Sequence, residues 1–87
     1  MSDIIVRNKG VSYPSDGLVG AVIEGRRMPT GIKADEIRYF PDVRAALRAV
    51  NNGEVDFFYG ISTKIEHDMQ AHHYPNVVPN TLVNNTK

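Results

Sequence analysis

Two short segments of the sequence carry the side chains best suited to hold a small polar ligand. Each segment places hydroxyl groups and a tyrosine directly after a predicted strand. The candidate ligand-binding residues are Gly10, Ser12, Tyr13 and Ser15 in the first segment and Tyr59, Ser62 and Thr63 in the second. In open α/β sheets, ligands bind outside the carboxyl ends of strands, where helix N-termini offer N–H groups to anions. The pattern predicts one ligand-binding rim built from both segments, although Ser and Thr at such places also serve as ordinary helix caps.

Other kinds of site lack the residue spacing that they need. The three histidines, His67, His72 and His73, are five and six residues apart, whereas two metal ligands on one helical face need a spacing of three or four. Neither a glycine-rich phosphate loop nor a G-x-S-x-G nucleophile elbow occurs. We therefore expect no metal, no cofactor and no catalytic residue.

Length and charge exclude further classes of protein. The 87 residues suffice for one small domain, residues 1–87, and are too few for two. Ten basic residues balance ten acidic ones. A protein that binds nucleic acid normally carries an excess of basic residues, so we expect no nucleic-acid partner. No apolar run approaches the roughly 20 residues that span a bilayer, and no signal peptide is visible. The chain is then either cytoplasmic or a piece of a longer protein, and the pattern of elements favours the second interpretation.

Hydrophobic periodicity predicts alternating strands and helices. The first predicted helix follows Ser15 and Asp16 and carries an apolar stripe of Leu18, Val19, Val22 and Ile23. The third follows Thr63, where Thr63-x-x-Glu66 fits a capping box. The predicted order is β-α-β-α-β-α-β, with strands at 4–6, 36–40 and 55–61 and with helices after 15–16, after 41–42 and after 62–63. Two short β-like pieces, 77–78 and 81–83, together make up the last β element. This order predicts a three-layer α/β/α domain with a mostly parallel sheet.

The sequence resembles a known family from about residue 4 to residue 83, most clearly in one stretch. Residues 43–56 form an Ala- and Leu-rich helix that ends in Gly53-Glu54-Val55-Asp56. This run resembles the second lobe of family 3 extracellular solute-binding proteins, which have the periplasmic-binding-protein type II fold. The later segments 56–60, 65–70 and 74–78 look like sensor versions of this module, which precede histidine kinase or diguanylate cyclase domains in bacterial membrane proteins.

The resemblance implies a non-enzymatic lobe that binds a small molecule together with a missing second lobe, outside the cytoplasm. The membrane would be reached only through the parent protein, and exposed sheet edges would allow the fragment to form a homodimer. The ligand would be an amino acid or a small carboxylate. Two positions depart from the amino-acid binders: Ile61 stands where those proteins usually have an aspartate, and Val11 follows Gly10 where they have Ser or Thr.

Two alternatives belong to other classes. A small cytoplasmic α/β enzyme or phosphoacceptor would need acidic residues at the ends of the first and third predicted strands, which here read Val6-Arg7-Asn8 and Phe58-Tyr59-Gly60. A pure interaction domain would use the lobe surface for oligomerisation, which concentration-dependent sedimentation detects.

Overall fold

The computed structural model describes residues 3–13 and 15–80. Seven elements follow one another in the described part of the chain. They are β1 (Asp3–Asn8), β2 (Val19–Ile23), β3 (Glu36–Phe40), α1 (Val43–Asn52), β4 (Phe57–Ile61), α2 (Ser62–Ala71) and β5 (Val77–Pro79). The strand predicted at 81–83 lies outside the described residues.

The five strands form one mixed sheet in the order β3-β2-β4-β1-β5. Strand β2 pairs in parallel with β3 and β4, whereas β1 pairs antiparallel with both β4 and β5. Four strands therefore run in one direction and β1 alone opposes them. The predicted α/β class is confirmed, and the prediction of a mostly parallel sheet is correct only in part, because both pairings of β1 are antiparallel.

The first predicted helix is wrong, because the segment is strand β2. Apolar residues at 18, 19, 22 and 23 fit a helical stripe, but Val19–Ile23 is also a short run rich in β-branched residues, which favour strands. Gly17 and Gly25 bracket the run, and both have positive φ angles, 78° and 89°. The two turns leave no room for a helix of ordinary length. Ser15 and Asp16 therefore cap no helix.

Helix α1 matches its prediction. The Asp42 side chain accepts a hydrogen bond from the Ala45 N–H at 2.9 Å, which satisfies one of the free donors of the first turn. Gly53 ends the helix with a φ of 83°, and its N–H bonds back to carbonyl groups of the last turn. The buried face consists of Ala46, Leu47, Ala49 and Val50.

Helix α2 begins one residue earlier than a cap at Ser62 or Thr63 would require. Ser62 is its first helical residue, and the N-cap position is Ile61, which makes no side-chain capping bond. The predicted capping box from Thr63 to Glu66 is therefore wrong. Ile65, which is fully buried, anchors α2 to the core.

The two faces of the sheet are covered differently. On one face, side chains of α1 and α2 pack with sheet residues such as Val6, Ala21 and Phe58. On the other face, Phe57 and Val22 pack against Leu18, Met28 and further residues of the connecting segments. In the described residues both helices thus lie on the same face of the sheet, whereas the predicted three-layer arrangement has helices on both faces. The cause is the missing first helix, whose place on the second face is taken by loops.

Candidate ligand-binding site

The candidate residues fall into two groups at opposite ends of the β1–β4 pair. In the antiparallel register, Asp3 lies opposite Ile61 and Arg7 lies opposite Phe57. The segment after β1, with Gly10, Ser12, Tyr13 and Ser15, therefore lies near the amino ends of β4 and β2. Tyr59, Ser62 and Thr63 lie at the carboxyl end of β4. The prediction of one shared rim is wrong, because it assumed that β1 runs parallel to β4.

The residues at the amino end are engaged in local contacts. The Gly10 N–H donates to the Asn8 side chain at 2.9 Å, and the Ser15 hydroxyl donates to the Ser12 carbonyl at 2.5 Å. Tyr13 packs on Phe57 with ring centroids 5.1 Å apart, and burial raises the pKa of its phenol. These contacts fasten the loop and cover one face of the sheet. That any of these residues touches a ligand stays a prediction.

A cavity of about 710 Å³ opens at the carboxyl end of the sheet. Its walls come from the ends of β2 and β4, the turn after β3, and the first turns of α1 and α2. The lining residues are Ile23, Arg26, Pro41, Asp42, Val43, Arg44, Gly60, Ile61, Thr63, Lys64, His67 and Asp68. This is the place where open α/β sheets bind their ligands.

Both helices point their N-termini at this cavity. Val43 and Thr63, which lie in the first turns of α1 and α2, belong to its lining. The first-turn N–H groups of a helix have no partner within the helix, and the helix dipole adds partial positive charge there. Asp42 caps α1, whereas Ile61 has no side-chain oxygen with which to cap α2. The Thr63 and Lys64 N–H groups lie in this first turn, so a ligand in the cavity can accept hydrogen bonds from them.

The cationic residues of the cavity differ in whether a carboxylate of the chain lies close to them. The Arg44 Nε atom lies 3.8 Å from an Asp68 oxygen, and an Arg26 Nη atom lies 3.4 Å from Asp3. Lys64, by contrast, is exposed and forms no ion pair with any residue in the described ranges. An anion entering the cavity would meet its ammonium group without displacing a carboxylate.

Tyr59 belongs to a small network at the edge of this end. Its hydroxyl donates to the same Asp3 oxygen that faces Arg26, at 2.5 Å. This hydrogen bond raises the pKa of Tyr59, and partial burial and the negative charge of Asp3 raise it further, against a smaller lowering by Arg26. Tyr59 is therefore uncharged at neutral pH, and its hydroxyl proton is already used in the hydrogen bond to Asp3.

Several residues of the cavity were missed by sequence reasoning. Arg26, Asp42, Lys64 and His67 line it, yet none belonged to the predicted rim. One signal for Arg26 was present in the sequence, since Gly25-Arg26 follows a β-branched run and so occupies the loop after a strand. That signal requires the segment 19–23 to be interpreted as a strand rather than a helix.

Two further features bear on the kind of site. Among residues 3–13 and 15–80, no group of three or more His, Asp or Glu side chains is placed to hold a metal ion. In the same part of the chain, no helix is both long enough and apolar enough to cross a membrane.

The fold is similar to that of two solved structures. The periplasmic domain of BvgS from B. pertussis matches with a TM-score of 0.70 and 24% identity, over 91% of this chain and 18% of that one. An ancestral arginine-binding protein bound to glutamine matches with a TM-score of 0.65 and 17% identity, over 97% of this chain and 40% of that one. This chain thus spans less than half the length of either structure. No protein-family model and no curated protein sequence matches it.

These likenesses confirm the predicted fold, which this chain shares with part of each of the two solved structures.

Proposed function

We propose that the chain is the ligand-binding lobe of an extracytoplasmic bacterial sensor or transport receptor, and that it binds a small organic anion in the cavity at the carboxyl end of the sheet. The observation that carries the proposal is the convergence of two helix N-termini and two cationic side chains, Arg26 and Lys64, on one cavity. The likeness in fold to a periplasmic domain and to a solute-binding protein supports it.

The charge of the lining favours a carboxylate as the group that is recognised. The carboxylate of Asp68 lies near Arg44, and that of Asp42 is occupied as the helix cap. The Lys64 ammonium group and the N–H groups of Thr63 and Lys64 are available to a ligand. A ligand carboxylate would accept hydrogen bonds from these donors and pair with the ammonium group, and such charge-assisted bonds are the stronger kind.

Ile61 argues against an α-amino acid as the ligand. It lines the cavity at the position where the amino-acid binders that this sequence resembles place an aspartate for the ligand's ammonium group. Burying an ammonium group against an aliphatic side chain without a hydrogen-bond partner is costly. A carboxylate that carries no ammonium group avoids that cost and can pack its carbon atoms on Ile61.

The cavity is open, so a single lobe touches only one side of a ligand. We propose that a second lobe completes the site by closing over it, in the way that two-lobed binding proteins close around their ligands. The affinity of the chain by itself should therefore be weak, and tight binding should require the longer protein.

Titration of the chain with succinate, followed by backbone amide NMR, tests the proposal. We expect saturable shifts at millimolar concentrations, and weaker shifts with glutamine. Lys64→Gln should weaken succinate binding by roughly tenfold, since it removes one charge-assisted interaction.

Lys9→Gln is the matched control, because Lys9 is an exposed lysine at the other end of the sheet. Equal weakening by both variants would show that net charge rather than the cavity governs binding. Glutamine binding as tightly as succinate would overturn the assignment to carboxylates that carry no ammonium group.

A second candidate function is oligomerisation, and edge strand β3 is the observation that favours it. On this strand Ile37 and Tyr39 are 38% and 53% exposed, although both are large and apolar, and unpaired sheet edges readily add another strand. Sedimentation over a range of protein concentrations separates this function from that of a monomeric lobe.

A further inference from the structure

A second cavity, of about 410 Å³, lies between α1 and the segment that follows α2. One wall is formed by Arg44, Arg48 and Asn51 of α1, and the other by His72, His73 and Tyr74 after α2. The proposed solute site does not include it, although Arg44 reaches both cavities.

The lining of this second cavity combines basic groups with amides and contains no acidic side chain. Four of its residues, Arg44, Arg48, His72 and His73, carry or can gain a positive charge. The whole chain has equal numbers of basic and acidic residues, so the cluster does not simply reflect a basic protein. The nearby Asp68 accepts a hydrogen bond from the Tyr74 hydroxyl and lies 3.8 Å from Arg44.

The basic side chains are not needed to cap the helices. Cations near a helix C-terminus often satisfy its last carbonyl groups. Here the Gly53 N–H reaches the carbonyls of Ala49 and Val50, and the Asn76 side chain donates to the carbonyl of Asn51 at 3.0 Å. Arg48 forms no ion pair within the described ranges of the chain.

The walls of the cavity are held in place by contacts of their own. The Asn51 side-chain oxygen accepts the Asn76 N–H at 2.9 Å, which ties the end of α1 to the segment before β5. Tyr74 is buried, and its hydroxyl donates to Asp68 at 2.5 Å. These contacts fix the backbone that carries the cationic side chains, so binding an anion has to order the side chains alone.

We propose that this second cavity binds a tetrahedral oxyanion of the sulfate or phosphate class, with Arg48 and the two histidines as its principal cationic contacts. Arginine offers a planar set of donors that suits such oxyanions, and the protonated imidazoles add donors from the opposite wall. Arg44 interacts electrostatically with both this anion and Asp68.

Sulfate is the appropriate probe, because its charge does not change between pH 5.5 and 8 by ordinary acid–base chemistry, whereas imidazoles gain their proton within roughly pH 5 to 8. Calorimetry or amide NMR at pH 5.5 should show saturable sulfate binding. Arg48→Gln should weaken this binding by roughly tenfold.

Arg27→Gln is the matched control, since Arg27 is an exposed arginine that lines neither cavity. Circular dichroism of each variant shows that it is folded. Equal weakening by Arg27→Gln, or loss of sulfate binding in Lys64→Gln but not in Arg48→Gln, would overturn the proposal. The second result would place the anion in the first cavity.

The pH dependence gives an independent readout. The titratable groups around the cavity are the two histidines, Asp68 and Tyr74, together with the two arginines, and burial and the hydrogen bond to Asp68 raise the pKa of Tyr74 to about 12. Sulfate affinity should rise as the pH falls from 8 to 5.5, and the double variant His72→Gln/His73→Gln should abolish this rise. A rise that persists in the double variant would overturn the role of the histidines.

Lipid headgroups also carry phosphate groups, so a binding experiment with vesicles distinguishes a free oxyanion from a lipid headgroup. Binding of free sulfate without sedimentation on phosphatidylcholine vesicles that contain phosphatidate supports a free oxyanion. Sedimentation with the vesicles in the absence of sulfate binding would contradict it.

Discussion

The two ends of the β1–β4 strand pair carry similar polar residues and use them in different ways. At the amino end of β4, the Asp56 side chain accepts the Val19 N–H at 2.8 Å, and Gly10 and Ser15 bond within their own loop. At the carboxyl end, Gly60 and Lys64 line an open cavity. The difference comes from strand direction, because only the carboxyl ends of the parallel strands lead into helix N-termini. The types of polar residue alone therefore do not distinguish a loop held by its own hydrogen bonds from a ligand-binding surface.

Exchanging a glycine at each end should give the largest difference in stability. A Cβ atom at Gly60 would lie 2.8 Å from Cζ of Phe58, whose ring is fully buried, and 3.3 Å from Cδ1 of Ile65. Gly60→Ala should therefore lower the free energy of unfolding by about 1–3 kcal/mol, the usual cost of overpacking a core.

Gly10→Ala is the counterpart at the other end. A Cβ atom at Gly10 would lie 3.4 Å from the Asn8 side-chain oxygen, its nearest neighbour, and the position is exposed. We expect a change within about 0.5 kcal/mol, as for most surface substitutions. Urea denaturation of both variants measures the difference, and equal effects would contradict the tight packing of Phe58 and Ile65 around Gly60.

The tyrosines at the two ends should respond differently to one substitution. Burial raises the pKa of Tyr13, whereas the hydrogen bond to Asp3 is the largest cause of the raised pKa of Tyr59. Asp3→Asn should lower the pKa of Tyr59 towards the ordinary value and leave that of Tyr13 unchanged. Titration of phenolate absorbance, with Tyr59→Phe to assign the signal, measures both. An unchanged Tyr59 titration in Asp3→Asn would contradict the network.

The same shift has a small consequence for stability at high pH. A raised pKa means that the folded state holds the phenolic proton of Tyr59 more tightly than the unfolded chain does. The resulting contribution to the free energy of unfolding is fully present below about pH 10, the ordinary pKa of tyrosine. It should be lost as the pH rises through the raised pKa of Tyr59. Asp3→Asn should flatten that decline in the melting temperature.

The sequence predicted some of these features well, for physical reasons. Helix α1 has an apolar face at helical spacing, an aspartate cap at Asp42 and a glycine stop at Gly53, so local and tertiary preferences agree. Strand β3 and strand β4 were also predicted correctly, as was the short strand at 77–78.

The rest depended on contacts that are distant in sequence. The segment 18–23 satisfies helical and strand periods alike, and its pairing with β3 and β4 decides between them. The direction of β1 is fixed by its partners β4 and β5, which follow it by about fifty residues or more. Since direction determines which end of a strand faces the helices, the error in direction became an error in the site.

The most direct test is a map of amide shifts on addition of succinate, compared between the two ends of the sheet. We expect the largest shifts at Arg26, Val43, Thr63 and Lys64, while Gly10 and Ser12 stay unchanged. Shifts concentrated in residues 9–13 instead would contradict the assignment of the site to the carboxyl end.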